Sequence, residues 1–139
     1  MLAPMRVLAG HHVSFAVRDL ERARRFYEGV LGFEPIPRPA FPFPGAWYRV
    51  GPIEVHLIVV PEGVETGTPA PRLTPVTNHA AFAVDDYDAT VRHLEAQGIE
   101  FLGLGPKQGQ VFVRDEDGNL IELLVADGRI QRAWSERSS

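Results

Sequence analysis

The chain has 139 residues, a formal net charge of −4, 45% hydrophobic residues and 23% charged residues, a composition typical of one globular domain or two small half-domains. The acidic charge and the lack of a basic patch argue against a nucleic-acid partner, and no apolar run approaches the roughly 20 residues of a membrane span. Because there is no cysteine, disulfides, thiolate metal ligands and a cysteine nucleophile are excluded, and we expect a cytoplasmic protein.

The first half of the chain predicts a βαβββ unit. Residues 20–31 place apolar side chains at helical spacing. Asp19 is suited to cap the start of this helix, and Gly32 is suited to end it. Segments of β-branched and aromatic residues surround the helix. The predicted strands lie at 12–17, from residue 33 into a proline-rich stretch, at 47–50 and at 53–60.

The second half repeats this order after a linker at 61–77 that is rich in proline, glycine and threonine. A second helix is predicted over 87–97, with Asp85-Asp86 as its cap and Gly98 as its end. The predicted strands lie at 79–84, 99–102, 111–114 and 120–125.

The two halves align as an internal repeat. His12 and His79 lie 67 positions apart (79 minus 12), and His56 and Glu122 lie 66 positions apart (122 minus 56). A period this regular is the signature of tandem structural units. We therefore expect a first module at 9–60, a linker at 61–77, a second module at 78–126 and a polar tail at 127–139.

Each repeat-related histidine shares a strand face with small residues. Side chains alternate between the two faces of a strand, and the larger apolar residues between these positions are expected to pack on the helices. The histidines then point away from the helices, into a space that the small residues leave open. These two faces consist of His12, Ser14 and Ala16 in the first strand, and of His79, Ala81 and Ala83 in the fifth.

Four potential metal ligands occupy repeat-equivalent places: His12, His56, His79 and Glu122. Three imidazoles and a carboxylate suit one divalent ion, with zinc, nickel, manganese, cobalt and iron(II) all compatible. A single strand histidine is more often structural than a ligand. The coincidence of four such residues at equivalent positions is what favours a metal site.

Three other residues invite a simpler interpretation. His11 is expected on the opposite side of the first strand from His12. His93 is expected to face solvent in the middle of a helix. Glu54 shares the face of His56, either as part of the site or as a charge on an edge strand.

Two sequence motifs resemble the vicinal oxygen chelate superfamily, which contains glyoxalases, extradiol dioxygenases, and fosfomycin- and bleomycin-resistance proteins. The first is His12-Val13-x-x-x-Val17 followed by Asp19-Leu20, Phe26-Tyr27 and Leu31-Gly32-Phe33. The second is Asp115-Glu116-Asp117-Gly118-Asn119-Leu120-Ile121-Glu122-Leu123. The resemblance covers about residues 10 to 126.

This resemblance implies an α+β fold in which two tandem βαβββ modules form an eight-stranded cup of mixed sheets around one divalent metal. It places the ligands on His12, His56, His79 and Glu122. The first reading is a lyase or isomerase of the glyoxalase type whose small substrate chelates the metal through neighbouring oxygens. Glu122 is then both ligand and base, with His56 as the second candidate base.

Two alternatives follow from the same resemblance. An extradiol dioxygenase would use Fe(II) on His12, His79 and Glu122, but it usually has a tyrosine where Phe112 stands. A non-catalytic drug- or metabolite-binding resistance protein generally lacks the ligand set that this chain retains.

The substrate pocket is expected beside these ligands. Arg49 is a candidate partner for a substrate carboxylate, since Ala16 stands where glutathione-dependent glyoxalases tend to carry an arginine. The exposed edge strands of each module also favour a homodimer. The predicted pocket residues are Ser14, Ala16, Trp47, Tyr48, Arg49, Ala81 and Phe112.

Overall fold

A computed structural model describes residues 3–126 as two four-stranded mixed sheets, each following the order strand, helix, and three further strands. The first module contains β1 (His12–Val17), α1 (Leu20–Arg24) with a π-helical continuation (Arg25–Val30), β2 (Glu34–Ile36), β3 (Gly45–Val50) and β4 (Ile53–Val59). The second contains β5 (Ala80–Val84), α2 (Tyr87–Ala96), β6 (Leu102–Gly103), β7 (Gln110–Arg114) and β8 (Leu120–Val125).

The two sheets have the same topology. Their strand orders are β1-β4-β3-β2 and β5-β8-β7-β6. In each sheet the first pair is parallel and the other pairs are antiparallel. The predicted α+β class with tandem βαβββ modules is therefore confirmed. In the part of the chain that the structure describes, no helix is long and apolar enough to cross a membrane. The predicted tail at 127–139 lies outside the described residues.

The first helix explains why the repeat offset falls from 67 to 66. Its last six residues, Arg25–Val30, form a π-helix, and the amide of Leu31 donates to the carbonyl of Phe26 at 3.0 Å. A π-helical turn accommodates one more residue than an α-helical turn. The first module thus absorbs its additional residue as a wider turn without displacing the strands that follow.

Most element boundaries agree with the prediction to within one residue, and three differences concern the site or the core. β3 begins at Gly45 instead of residue 47, and β5 begins at Ala80, just after His79. β6 is a two-residue strand, Leu102–Gly103, where a strand over 99–102 was expected. Ile99 and Phe101 instead pack against the core as part of the connection after α2.

The hydrophobic core lies on the helix side of both sheets. Its buried members come from both modules and alternate with the histidine-bearing positions, as the strand period requires. Phe33 and Phe82 join the modules directly, with ring centroids 5.1 Å apart. The core strand residues include Phe15, Val17, Val55, Leu57, Phe82, Ile121 and Leu123.

The turn Asp115–Asn119 also ties the modules together. The buried carboxylate of Asp115 accepts a hydrogen bond from the hydroxyl of Tyr27 at 2.7 Å. It also accepts hydrogen bonds from the backbone amides of Asp117 and Asn119. The side-chain amide of Asn119 donates both to Asp115 and to the carbonyl of Ala16 at the end of β1. The motif between β7 and β8 is therefore a structural clamp on the first module.

Removing the Tyr27 hydroxyl should weaken this clamp. Burial, followed by the nearby Asp115 carboxylate, raises the pKa of Tyr27, so its hydroxyl remains a donor throughout the ordinary pH range. Tyr27→Phe leaves a buried carboxylate with one donor fewer, and we expect a loss of about 1–3 kcal/mol in the free energy of unfolding. Urea denaturation with an unchanged m-value measures this loss.

Tyr48→Phe is the matched control. The Tyr48 hydroxyl donates to Glu28 at 2.8 Å, and the Glu28 side chain is 34% exposed, so water can replace the lost donor. We expect a clearly smaller loss for this variant. Equal losses in the two variants would contradict the clamp.

Candidate functional site

The first module presents His12 and His56 side by side. Their rings stack with centroids 4.1 Å apart and planes inclined by 18°. Trp47 stacks on the other face of His56 at 4.0 Å and 4°. This follows from strand pairing, since His56 lies opposite Ser14 on β1 and opposite Trp47 on β3. His56 is thus held in a three-ring stack, and we call His12 and His56 the first pair.

Glu54 extends this pair. Its Oε1 lies 2.9 Å from Nε2 of His56, and its Oε2 accepts from the Arg49 guanidinium at 3.2 Å. The hydrogen bond with His56, assisted by the Arg49 charge, lowers the pKa of Glu54. Because β4 lies between β1 and β3, the interpretation of Glu54 as an edge-strand charge is wrong.

Two histidines outside the predicted site are placed differently from expectation. Nδ1 of His11 lies 2.8 Å from Nδ1 of His12, so His11 does not lie on the opposite side. β1 begins only at His12, and strand alternation does not extend to its predecessor. His93 is exposed, as expected, but its Nε2 also donates to the carbonyl of Val30 at 2.7 Å.

The second module presents His79 and Glu122, which we call the second pair. Nε2 of His79 lies 2.9 Å from Oε1 of Glu122, while Nδ1 of His79 donates to the carbonyl of Thr77 at 2.8 Å. The side-chain amide of Gln110 donates to the other Glu122 oxygen at 3.2 Å. The Phe112 ring packs edge-on against His79 at 5.3 Å.

The chemistry of the second pair fits a bound cation. With a proton on Nδ1, neutral His79 has only a lone pair at Nε2, and this lone pair faces a carboxylate oxygen that is also an acceptor. A positive charge must compensate this contact, either a proton or a metal ion bound by both atoms. Two donors at right angles, each about 2.1 Å from one ion, would lie about 3 Å apart, close to the observed 2.9 Å.

The two pairs do not converge within one chain. Across residues 3–126, no three His, Asp or Glu side chains form a group that could hold a metal ion. The structure therefore presents the four predicted ligands as two pairs, one on each sheet.

The predicted pocket residues divide between the two sheets. Ser14, Ala16, Trp47 and Arg49 share the face of His56, whereas Ala81 and Phe112 lie opposite Glu122 on its neighbouring strands.

Tyr48 was wrongly expected in this pocket. It lies on the helix side of the sheet, fully buried, with its hydroxyl on Glu28. The physical reason is alternation, because Tyr48 and its neighbour Trp47 must point to opposite faces.

Two cavities lie along or beside β5, and His79 borders the first of them. One of about 760 Å³ is bordered by His79 and by the linker segment containing Thr66 and Thr68. The other, of about 610 Å³, is lined by Ala81 and Ala83 on the Glu122 face and contains no charged side chain in its lining. Its remaining walls are Leu8, Ala9, Gly10, Val50, Gly51, Pro52, Ile53 and Phe82.

Two residues that contact the pairs, Gln110 and Thr77, were missed as site residues in the sequence, and Glu54 was considered only as one of two alternatives. Gln110 and Phe112 share a strand face, so alternation alone could have placed Gln110 beside Glu122. The Glu54 contact was within reach for the same reason. The contact with the Thr77 carbonyl could not be predicted from the sequence, because every residue has a backbone carbonyl.

Known proteins resemble this chain along most of its length. Residues 10–123 match the model of the Glyoxalase/Bleomycin resistance protein/Dioxygenase superfamily. The chain is 32% identical over 130 residues to Glyoxylase I 4 of Arabidopsis thaliana, covering 89% of this chain and 74% of that protein. It is 30% identical over 126 residues to the mitochondrial methylmalonyl-CoA epimerase of Bos taurus, covering 81% of this chain and 71% of that protein.

A solved structure shares the fold at a similar level of identity. The crystal structure of a glyoxalase family protein from Bacillus anthracis matches with a TM-score of 0.70 and 30% identity. The match covers 90% of this chain and 100% of that chain.

Phe112 should behave as a support of His79 and not as an exposed pocket wall. It has 0% exposure, so Phe112→Ala should lower the free energy of unfolding by about 3–5 kcal/mol. Thermal and urea unfolding measure the change. Trimming an exposed aromatic, as in Phe41→Ala (43% exposed), should cost much less. A loss below about 1 kcal/mol for Phe112→Ala would be the value of a surface substitution and would contradict this role.

Proposed function

Because the chain belongs to the glyoxalase/bleomycin resistance protein/dioxygenase superfamily, we propose that it is a metal-dependent lyase or isomerase acting on a small substrate with two neighbouring oxygens. The relatives named as a glyoxylase I and as an epimerase support an enzyme of the lyase or isomerase type. The observation that carries the metal proposal is the second pair, in which Nε2 of His79 and Oε1 of Glu122 lie 2.9 Å apart, close to the spacing of two ligands on one ion.

The proposed ligands are His12, His56, His79 and Glu122, and the ion is one of zinc, nickel, manganese, cobalt or iron(II). Three neutral imidazoles and one carboxylate leave a divalent ion with net positive charge. When bound, the ion supplies Lewis-acid stabilisation of negative charge on the substrate oxygens.

The two pairs form a complete ligand set only together. Each module supplies two donors on its open sheet face, and among the described residues a single chain does not unite three. We therefore place the site between the first module of one subunit and the second module of another in a homodimer. A twofold-symmetric dimer would form two such sites.

Glu122 is the proposed base. Its side chain is 8% exposed, and its carboxylate accepts a hydrogen bond from Gln110 at one oxygen, while the other oxygen faces His79. A carboxylate held in this way can take a proton from a substrate carbon beside a carbonyl and return it to the same or a neighbouring carbon. His56, the second candidate, is less free for this task because Glu54 occupies its Nε2.

The cavity of about 610 Å³ is the proposed pocket for the rest of the substrate. Ala81, which lines this cavity, is the cross-strand neighbour of Glu122, although Glu122 itself is not part of the cavity wall. Its lining carries no charge, which favours an apolar, uncharged substituent. Arg49 is paired with Glu54, which argues against its recognising a substrate carboxylate.

Metal titration tests the ligand assignment. We expect the wild-type protein to bind one divalent ion per subunit by calorimetry, and His12→Ala and Glu122→Gln each to lose most of this affinity. Glu62→Gln, in the exposed linker, is the control and should bind as the wild type does. A wild-type protein that binds no divalent ion would overturn the proposal.

Mixing the two defective variants tests where the site lies. When His12→Ala and Glu122→Gln chains are co-refolded in equal amounts, half of the dimers are mixed, and each mixed dimer has one site free of both substitutions. We expect about a quarter of all sites to regain metal binding. If the site lay within one chain, no site would be restored.

Two chelating probes test the pocket. Acetohydroxamic acid and benzohydroxamic acid offer the same neighbouring oxygens, but only the second adds a phenyl ring. On metal-loaded protein we expect the phenyl ring to improve affinity at least tenfold, consistent with about 1.5–3 kcal/mol for burying such a group. Ala81→Leu should remove this advantage without changing acetohydroxamate binding.

Thr68→Leu is the control for the other cavity, which Thr68 lines. It should leave both affinities unchanged. Loss of the phenyl advantage in Thr68→Leu, and not in Ala81→Leu, would assign the substrate to the larger cavity instead.

A further inference from the structure

The imidazole of His56 is held in place by two different kinds of contact. Trp47 and His12 stack on its opposite faces, at 4.0 and 4.1 Å, and fix the plane of the ring. Stacking is indifferent to a half-turn of the ring about its Cβ–Cγ bond, because both ring orientations present nearly the same faces. The stack alone therefore does not decide which nitrogen points where.

Glu54 provides the contact that distinguishes the two orientations. Its Oε1 lies 2.9 Å from Nε2 of His56, and an ionised carboxylate only accepts hydrogen bonds. Nε2 must then carry the proton, and Nδ1 is left with the lone pair. A half-turn of the ring would remove this charge-assisted hydrogen bond, which is stronger than a neutral one.

Glu54 is itself anchored. Arg49 lies opposite Glu54 in the β3–β4 register and donates to Oε2 at 3.2 Å. One carboxylate oxygen therefore accepts a hydrogen bond from His56, and the other accepts one from Arg49. The Glu54 side chain is only 18% exposed, so it has limited freedom to leave this arrangement.

The second module fixes the tautomer of its histidine with a different group, and the other ring nitrogen carries the proton. In His79, Nδ1 donates to the carbonyl of Thr77, so in the neutral ring Nε2 carries the lone pair and faces Glu122. The two modules thus hold one histidine each in opposite tautomers, one set by a carboxylate and the other by a backbone carbonyl.

We infer that Glu54 is a positioning residue that fixes the tautomer and ring orientation of His56, so that His56 offers Nδ1 as its donor atom. The effect on metal binding rests on the proposed function, whereas the effect on the ring does not. Outer carboxylates of this kind commonly change metal affinity 10- to 100-fold when they are removed. Both Glu54 oxygens are engaged, so Glu54 acts through His56 and is not a ligand itself.

Nitrogen NMR of the metal-free protein at about pH 8 tests the ring directly. Long-range ¹H–¹⁵N correlations distinguish the two tautomers, and a His56→Gln spectrum assigns the His56 signals. We expect the Nε2–H form in the wild type and in Glu54→Gln, whose amide oxygen still accepts from Nε2–H. Glu54→Ala should give a mixture of tautomers. An unchanged pure Nε2–H signal in Glu54→Ala would overturn the inference.

Zinc affinity, measured by competition with a chromogenic chelator, is the second readout. We expect a loss of about 10- to 100-fold in Glu54→Ala and a smaller loss in Glu54→Gln. Glu34→Gln is the matched control, since Glu34 lies opposite Arg49 on the same sheet face, and it should bind as the wild type does. A loss in Glu54→Gln as large as that in His56→Ala would make Glu54 a ligand and overturn its positioning role.

The two hypotheses fail in distinguishable ways. Absence of zinc binding by the wild-type protein overturns the proposed function, while the tautomer measurement still decides the role of Glu54. Normal zinc binding by the wild type with no effect of Glu54→Ala on either readout overturns the positioning role alone.

Discussion

The buried carboxylate of Asp115 is the interaction on which the relation between the two modules depends. A buried charge is costly unless hydrogen bonds compensate it, and this one receives a hydroxyl from Tyr27 in the other module together with amide donors from its own turn. The same turn holds the end of β1 through Asn119 and the carbonyl of Ala16. Strand β1, which carries His12, is therefore positioned by a motif that lies far later in the sequence, with Asn119 103 residues after Ala16.

With the modules held together by this turn, the helix-side faces of both sheets pack into one core, and the faces that carry the histidines point away from it. Phe15 and Phe82 enter the shared core, whereas His12 and Ser14 on the other face of β1 are exposed. Ile58, on the face of His56, is 38% exposed. The packing that stabilises one chain thus separates the two ligand pairs. A second subunit facing these surfaces would supply both the missing donors and a cover for the exposed apolar positions.

Much of this arrangement could be predicted because it depends on one-dimensional patterns. The repeat offset located His12, His56, His79 and Glu122 at equivalent places, and strand alternation correctly assigned the faces of Ser14 and Ala81. The same alternation places Tyr48, the neighbour of Trp47, on the helix side of the sheet and outside the predicted pocket. The separation of the pairs could not be predicted, since a strand pattern fixes which face a residue occupies and says nothing about how two sheets are oriented. The tautomers of His56 and His79 depend on rotamers and on a backbone carbonyl, which leave no trace in sequence.

His56 is held by a carboxylate and His79 by a backbone carbonyl, and this difference has an electrostatic consequence for the proposed centre. The carbonyl of Thr77 adds no net charge beside His79, and the negative charge of Glu54 beside His56 is offset by Arg49 at 3.2 Å. Among these groups, Glu122 is then the carboxylate whose charge acts on the ion without a cationic partner. A divalent ion in the proposed centre would retain about one net positive charge. Because such a charge would act in a partly buried site, where screening by water is weak, it would favour a substrate that becomes an oxyanion when it loses a proton to Glu122.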